Sequence, residues 1–239
     1  MSKPPEPQRL KPDSNTDYFA YYQLDTQFTE SELSALQQVG SHNKYPAGSI
    51  LLGYGEETDF ALLILQGHVK IVVPGPPTRI IGLRGRGEIV GEMAAIRRKA
   101  RSASIFAIND VQALYLAGNK WLQFLHEHPR AALAQLYTAD ERLAEATRKT
   151  VESLLGAQQK LAKAMVELCA SGLGTPTNDG TRLAFGQQDL ADIAGVGVDS
   201  VKQVTKVLRE HSIIRTARQA TIVRDLPAIQ AIAQGDRSL

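Results

Sequence analysis

The sequence has one cysteine, Cys169, and no run of about 18 apolar residues. A single thiol excludes an intrachain disulfide framework, an all-cysteine zinc site and an all-cysteine iron–sulfur cluster. The missing apolar run argues against a transmembrane helix. Residues 1–17 are rich in proline and polar side chains and lack the apolar stretch of a secretory signal. We therefore expect a disordered tail and a cytoplasmic protein.

Recognisable catalytic patterns are also missing. The sequence contains no P-loop, no His-Glu-x-x-His zinc motif and no Ser/His/Asp arrangement that indicates a nucleophile. Its histidines are scattered along the chain. These absences predict a protein that is not an enzyme and that holds no metal.

An excess of charge of one sign is missing as well, since 27 Lys and Arg balance 25 Asp and Glu to a net charge of +2. This mild basicity permits nucleic-acid binding but does not argue for it, so the local distribution of charge has to decide. The 43% hydrophobic content is ordinary for a globular protein. The length allows one large domain or two modest ones.

Short apolar segments separated by glycine and proline turns fill the first half of the chain. The clearest are residues 49–52, 61–65, 68–73, 79–83, 103–108 and 111–116. Their spacing predicts an all-β barrel or sandwich. A helix is predicted in front of them, because Thr29 and Glu32 have capping-box spacing and apolar residues follow at helical intervals.

A long helix is predicted for residues 128–155, where Pro129 suits the first helical position and no glycine or further proline intervenes. Leu133, Leu136 and Leu143 belong to an apolar stripe with a period of about 3.5 residues. The stripe either packs on the β domain of its own chain or pairs with a second copy, and we favour a parallel dimer. Gly156 then marks a hinge, and residues 171–180 are predicted to be a turn-rich connector.

The C-terminal part has the pattern of a helix-turn-helix followed by a β-hairpin wing. Helices are predicted over Gln187–Ala194 and Val198–Glu210, with a turn at Gly195. Residues 198–224 contain six basic and two acidic side chains, a local positive charge that the whole-chain balance hides. The second helix would bury Val201 on one face and present donors to DNA on the other. The candidate DNA contacts are Val198, Asp199, Ser200, Lys202, Gln203 and Lys206.

The most informative segment is residues 85–104, GRGEIVGEMAAIRRKARSAS. It places Glu92 on a predicted helical turn and Arg101 nine residues later, followed by Ser102. A carboxylate accepts hydrogen bonds from ribose hydroxyls, and a guanidinium binds a phosphate through two parallel N–H groups. This set predicts a site for one small cyclic nucleotide. The alternative is that Glu92 only stabilises the N-terminus of its own helix and that Arg101 is a surface arginine.

This cassette and the helix-turn-helix together resemble the CRP/FNR family of transcription regulators over about residues 28–226. Two further features carry the resemblance. They are the glycines that bracket early strands, Gly48 and Gly67, and the segment QQDLADIAGVGVDSVKQVTKVLREHSII. The resemblance implies an α+β fold with an N-terminal β jelly-roll cyclic-nucleotide-binding domain, a long dimerisation helix and a C-terminal winged helix-turn-helix. The implied parts are a tail 1–17, a β domain 18–127, a dimerisation helix 128–155 and a DNA-binding domain 156–239.

The resemblance also implies a ligand and partners. A homodimer would bind double-stranded DNA, with RNA polymerase as a further partner, no membrane association, and a cyclic nucleotide, first of all cAMP, as effector. Gly91 would donate its backbone N–H, Glu92 would accept from the ribose 2′-hydroxyl, and Arg101 and Ser102 would bind the cyclic phosphate. The long helix adds the candidates Arg142 and Thr147.

Some residues depart from the family pattern. Val198 stands where members often have an arginine that contacts guanine, and Gln203 stands near a second such arginine, so the common operator sequence does not carry over. Arg97, Arg98 and Lys99 add cations that would strengthen the pull on an anion or suit a larger multi-phosphate ligand. Two alternatives stay open: an effector-binding module with weak or lost DNA specificity that acts through protein partners, and a regulator that needs no nucleotide.

Overall fold

The computed structural model describes residues 28–75, 78–152 and 155–238. The predicted tail of residues 1–17 lies outside these ranges. Among the described residues, no helix is long and apolar enough to cross a membrane, and no three metal-ligating side chains cluster together.

The N-terminal half forms two antiparallel four-stranded sheets that pack face to face. The strands are β1 Ser41–Tyr45, β2 Ile50–Leu52, β3 Phe60–Gln66, β4 Val69–Val73, β5 Arg79–Arg84, β6 Ile89–Val90, β7 Ser104–Ala107 and β8 Val111–Ala117. The first sheet has the order β1-β8-β3-β6, and the second has the order β2-β7-β4-β5. The predicted β domain of jelly-roll type is confirmed.

Strand β3 shows how an uninterrupted apolar run fits a sheet. Its side chains alternate, so that Leu62 and Ile64 pack between the two sheets while Ala61 and Leu63 face the helices outside. All four side chains are fully buried or nearly so. Because both faces of β3 are covered, its sequence lacks the polar alternation of a half-exposed strand.

Helices cover the outer face of the first sheet. They are α1 Glu30–Val39, α3 Gly118–Glu127 and the beginning of α4 Pro129–Glu152, while the short α2 Glu92–Arg97 follows β6. The predicted capping box of Thr29 and Glu32 begins α1, and Arg130 on α4 donates to both carboxylate oxygens of the buried Glu32. Helix α3 is not predicted from the sequence, because its N-cap residue, Ala117, has no polar side chain to signal a helix start.

The C-terminal part is a second unit of helices and strands. Its elements are α5 Ala157–Ala170, β9 Gly174–Thr177, β10 Gly180–Leu183, α6 Gln187–Ala194, α7 Val198–Glu210, β11 Ile214–Ala217, β12 Ala220–Val223 and α8 Leu226–Gln234. Helices α6 and α7 confirm the predicted helix-turn-helix, and β11 and β12 form its wing. The predicted turn-rich connector at 171–180 is wrong, since β9 and β10 extend the wing into a sheet of order β11-β12-β10-β9. Strand β9 is polar because it is a largely exposed edge strand, so its sequence lacks the apolar pattern that predicts a strand.

The two units touch through β4 and β5. Leu83 of β5 packs against the C-terminal core, and Lys70 Nζ of β4 lies 3.1 Å from Asp189 Oδ1 of α6. The other oxygen of Asp189 accepts a hydrogen bond from the Gly186 backbone N–H at 3.3 Å. Strand β5 is therefore in contact with the helix-turn-helix unit.

Candidate functional site

The pair Gly91–Glu92 lies where β6 turns into α2. Gly91 is the N-cap of α2 and has a φ of 79°, a left-handed conformation that favours glycine. A methyl group on Gly91 would lie 2.6 Å from Leu52 Cδ1 and 2.8 Å from Arg101 Nη1. The backbone angle and the close approach both require glycine here. The turn thereby places Glu92 at the first position of α2, where its side chain is buried.

Arg101 is buried, and the protein itself engages its guanidinium. Nε donates to Thr58 Oγ1 at 2.7 Å, Nη2 donates to the Phe60 carbonyl at 2.8 Å, and Nη1 donates to the Gly91 carbonyl. The guanidinium carbon also lies 4.8 Å from the centre of the Phe60 ring. Burial lowers the pKa of Arg101, but an arginine keeps its charge nonetheless. Arg101, the residue predicted to bind the phosphate, therefore also links β3 to the Gly91 turn.

Glu92 is paired with Arg142, which reaches the cassette from α4. Arg142 Nη1 lies 2.8 Å from Glu92 Oε1, and Nη2 donates to the Ile89 carbonyl at 3.0 Å. Glu88 Oε1 is more distant, at 3.9 Å from Arg142 Nη2. Two predicted site residues that are 50 positions apart in the chain are thus joined directly.

A cavity of about 390 Å³ lies between the second sheet, α2 and α4. Thr147 of α4 is outside its wall, and the Thr147 hydroxyl donates to the Leu143 carbonyl at 2.9 Å. The same helix contributes Glu145 and Ala146 to the wall instead. The predicted ligand-binding residues that do line the cavity are Gly91, Glu92, Arg101, Ser102 and Arg142.

Two charged residues of this wall, Arg84 and Glu145, are not predicted from the sequence. Arg84 ends β5, a position typical of a solvated side chain, yet its side chain is only 12% exposed. Burial and the charge of Arg142 lower the pKa of Arg84, while Glu88 and Glu145 act in the opposite direction. Sheet pairing and helix packing bring residues 84 and 145 together, so their spacing in the sequence carries no signal.

Helix α7 presents most of the predicted DNA contacts on its outer face. Val198 and Ser200 are half-buried, and Val198 packs against the C-terminal core. Lys202 Nζ lies 2.8 Å from Asp199 Oδ1, and this hydrogen bond lowers the pKa of Asp199. The predicted contacts that are exposed are Asp199, Lys202, Gln203 and Lys206.

Asp179 binds two arginines of the wing, a role that is not predicted from the sequence. It lies in the turn between β9 and β10 and accepts hydrogen bonds from Arg215 Nε and Arg224 Nε, each at 2.8 Å. The hydrogen bond from Arg215 is the main cause that lowers the pKa of Asp179. Arg218 is exposed at the tip of the β11–β12 hairpin. Part of the positive charge counted from the sequence is therefore neutralised within the wing.

Two family models match the chain, the cyclic nucleotide-binding domain over residues 42–128 and the Crp-like helix-turn-helix domain over residues 159–232. The chain is 27% identical over 194 residues to the cyclic AMP receptor protein of Thermus thermophilus, a match that covers 80% of this chain and 87% of that protein. It is 23% identical over 186 residues to the cAMP-activated global transcriptional regulator CRP of Salmonella typhimurium, with 76% and 88% covered.

The fold is shared with solved structures. The c-di-GMP-responsive global regulator CLP of Xanthomonas campestris has a TM-score of 0.74 with this chain at 18% identity, covering 82% of this chain and 99% of that one. The two matched domains stand in the order that the residues 85–104 cassette and the helix-turn-helix predicted. Proteins with this pair of domains are regulators that bind DNA and are not enzymes. The chain belongs to the CRP/FNR family of transcription regulators.

Proposed function

We propose that this protein is a homodimeric regulator whose operator binding is modulated by a cyclic nucleotide, with cAMP the first candidate suggested by its relatives. The cavity is the observation that carries the proposal. Glu92, Arg101 and Ser102 line it together, and they are the carboxylate, guanidinium and hydroxyl that a ribose and a cyclic phosphate need. Arg142 closes the cavity from α4, so a bound ligand bridges the β domain and the long helix.

The cavity and the helix-turn-helix share strand β5. Ile81 and Arg84 of this strand line the cavity, and Leu83 between them packs against the C-terminal core. A ligand that binds one arrangement of β5 and α4 better than another will shift the orientation of the helix-turn-helix, with a typical coupling of about 1–3 kcal/mol. In a dimer, recognition helices about 34 Å apart fit successive major grooves. RNA polymerase in the cytoplasm is then the partner that senses the bound dimer.

The exposed apolar stripe of α4 supports the dimer. Leu136 is 67% exposed and Leu143 is 66% exposed in the single chain, and Leu133 on the same helix is exposed as well. Leu136 and Leu143 are one heptad apart, which is the spacing of a two-helix seam. A second copy of α4 in parallel orientation covers this stripe.

Replacing Leu136 and Leu143 together with glutamate is expected to convert the dimer into a monomer, because each seam position would then bury a charge. Sedimentation equilibrium measures the mass. The matched control is Leu122→Glu, which changes an exposed leucine of α3 outside the stripe. A double variant that sediments as a dimer like the wild type would exclude α4 as the interface.

Replacing Lys202 and Lys206 with alanine is expected to weaken binding to every DNA sequence and to flatten its salt dependence. Removing one lysine that neutralises a phosphate lowers the slope of log K against log salt by about 1, and a dimer carries each lysine twice, so the slope falls by about 4. Fluorescence anisotropy between about 50 and 200 mM salt measures the slope. The exposed Lys120 on α3 provides the control variant Lys120→Ala.

An unchanged slope in the double variant would place both lysines away from the phosphates. Wild-type protein that shows no salt-dependent DNA binding in any ligand state would instead favour the effector-binding module that acts through protein partners.

The effector is tested with a duplex selected by the protein from a random library. Saturating cAMP or cGMP is expected to change the affinity for this duplex, and Glu92→Gln is expected to weaken the response, since the amide is a poorer partner for a ribose hydroxyl and for Arg142. Equal affinity with and without either nucleotide would favour a regulator that needs no nucleotide.

A further inference from the structure

The cavity has two charged ends. We call the part formed by Arg101 and Ser102, just before β7, the phosphate end, and the part formed by Arg84 and Glu145 the base end. In the second sheet, β4 lies between β7 and β5. Through Val69 of β4, Arg84 is level with Ala107, which lies five residues beyond Ser102, so the two ends are separated both along and across the strands.

The base end holds buried donors that lack well-aligned acceptors. Arg84 Nη1 donates to the Leu83 carbonyl at 2.7 Å, but the Nε atoms of Arg84 and Arg142 are buried and make no hydrogen bond among the described residues. Glu88 Oε1 lies 3.4 Å from Arg84 Nε, an ion pair without hydrogen-bond geometry. A buried N–H group without an acceptor is costly and unusual in a folded protein. A ligand that brings acceptors to this end, against the apolar wall of Ile81, would satisfy donors that the protein leaves unused.

Glu145 supplies the complementary group at the base end. It lines the cavity from α4 and lies close enough to Arg84 for its charge to oppose the effects of burial and of Arg142 on the pKa of that guanidinium. The wall therefore presents donors and an acceptor side by side. A base edge that carries both acceptors and donors would fit this wall.

We infer that the base end recognises guanine, so that cGMP is the preferred effector; this inference rests on the proposed cyclic-nucleotide function. Guanine presents two neighbouring acceptors, O6 and N7, that match the fork of an arginine such as Arg84. Its N1–H and amino groups are donors that match a carboxylate such as Glu145. Adenine has an amino donor where guanine has O6, and this N–H would face the guanidinium. A preference for cGMP differs from the cAMP effector that the relatives suggest.

Isothermal titration calorimetry on the full chain tests the inference with cGMP and cAMP as the probes. Wild-type protein is expected to bind cGMP at least about tenfold more tightly than cAMP. In Arg84→Leu, the affinity for cGMP is expected to fall about tenfold more than the affinity for cAMP. Glu145→Gln is a second variant that should reduce the same ratio. The control is Arg86→Leu, which changes an exposed arginine two positions away that does not line the cavity.

Thermal unfolding of each variant shows whether a loss of binding reflects a loss of folding, and the wild-type ratio requires no variant at all. Binding of cAMP that equals or exceeds that of cGMP would overturn the guanine inference and leave the proposed function standing. Failure of both nucleotides to bind would overturn the proposed effector class and the inference together. A wild-type preference for cGMP that persists unchanged in both variants would also overturn the assignment of Arg84 and Glu145.

Discussion

Replacing Arg101 with methionine is expected to lower the free energy of unfolding by about 3 kcal/mol, because buried polar groups that lose a partner cost about 1–3 kcal/mol each. Methionine keeps much of the apolar volume but removes the hydrogen bonds to Thr58 and to the carbonyls of Phe60 and Gly91. Urea unfolding followed by circular dichroism measures the loss. The control is Arg97→Met, an exposed position at the end of α2.

The same variant is expected to lose cyclic-nucleotide binding. A guanidinium has five N–H groups. Among the described residues, three of those of Arg101 donate to the protein, which leaves two for a phosphate. Arg101 is thereby placed to hold the Gly91 turn and an anion at once. A loss of stability below about 1 kcal/mol, with nucleotide binding retained, would contradict both roles.

Replacing Arg130 with methionine is expected to lower the free energy of unfolding by about 3 kcal/mol, as is usual when one partner of a buried ion pair is removed. Glu32 is 4% exposed, and in the wild type it also accepts from the Thr29 N–H at 2.8 Å. Without Arg130, the Glu32 carboxylate stays buried, and no other cation pairs with it in the part of the chain that the structure describes. The control is Arg148→Met, an exposed arginine further along α4.

The pH dependence of this loss provides an independent check. Burial by itself raises the pKa of Glu32, but the hydrogen bonds and charge of Arg130, with the Thr29 hydrogen bonds, bring the pKa below its ordinary value of 4.5. The stabilisation by Glu32 is therefore complete above about pH 4.5 and is lost as the pH falls through the lowered pKa. The Arg130→Met deficit should accordingly shrink on acidification, and a deficit that is constant from pH 7 to about pH 3 would contradict this assignment.

Local signals were sufficient to predict the elements that carry the site. The uninterrupted apolar run of β3, the Thr29 capping box and the helix-turn-helix pattern all depend on neighbours within a few residues, and the structure has each of them. The Gly91–Glu92 turn is of the same kind, because the backbone angle at Gly91 is a local property. Helix α3 and strand β9 were not predicted, because the helix has no side-chain cap and the strand has no buried face.

The partners of the site residues depend on long-range packing. Arg101 bonds to Phe60, 41 positions away, and Arg142 bonds to Glu92, 50 positions away. No spacing rule connects such pairs, since sheet order and the approach of α4 determine them. Arg84 illustrates the difficulty, because an arginine that ends a strand normally lies in solvent, and here α4 closes over it.

Asp189 divides its two oxygens between two tasks. One oxygen accepts from the Gly186 N–H at the start of α6, and the other meets Lys70 of the β domain. A partly exposed ion pair of this kind is worth about 1 kcal/mol or less, so breaking it changes the balance between docked and released domains by no more than about fivefold. Release of the C-terminal unit from the β domain leaves the Gly186–Asp189 hydrogen bond at the start of α6 intact. Ionic strength alone will therefore loosen the attachment of the DNA-reading unit by a small factor without weakening that unit.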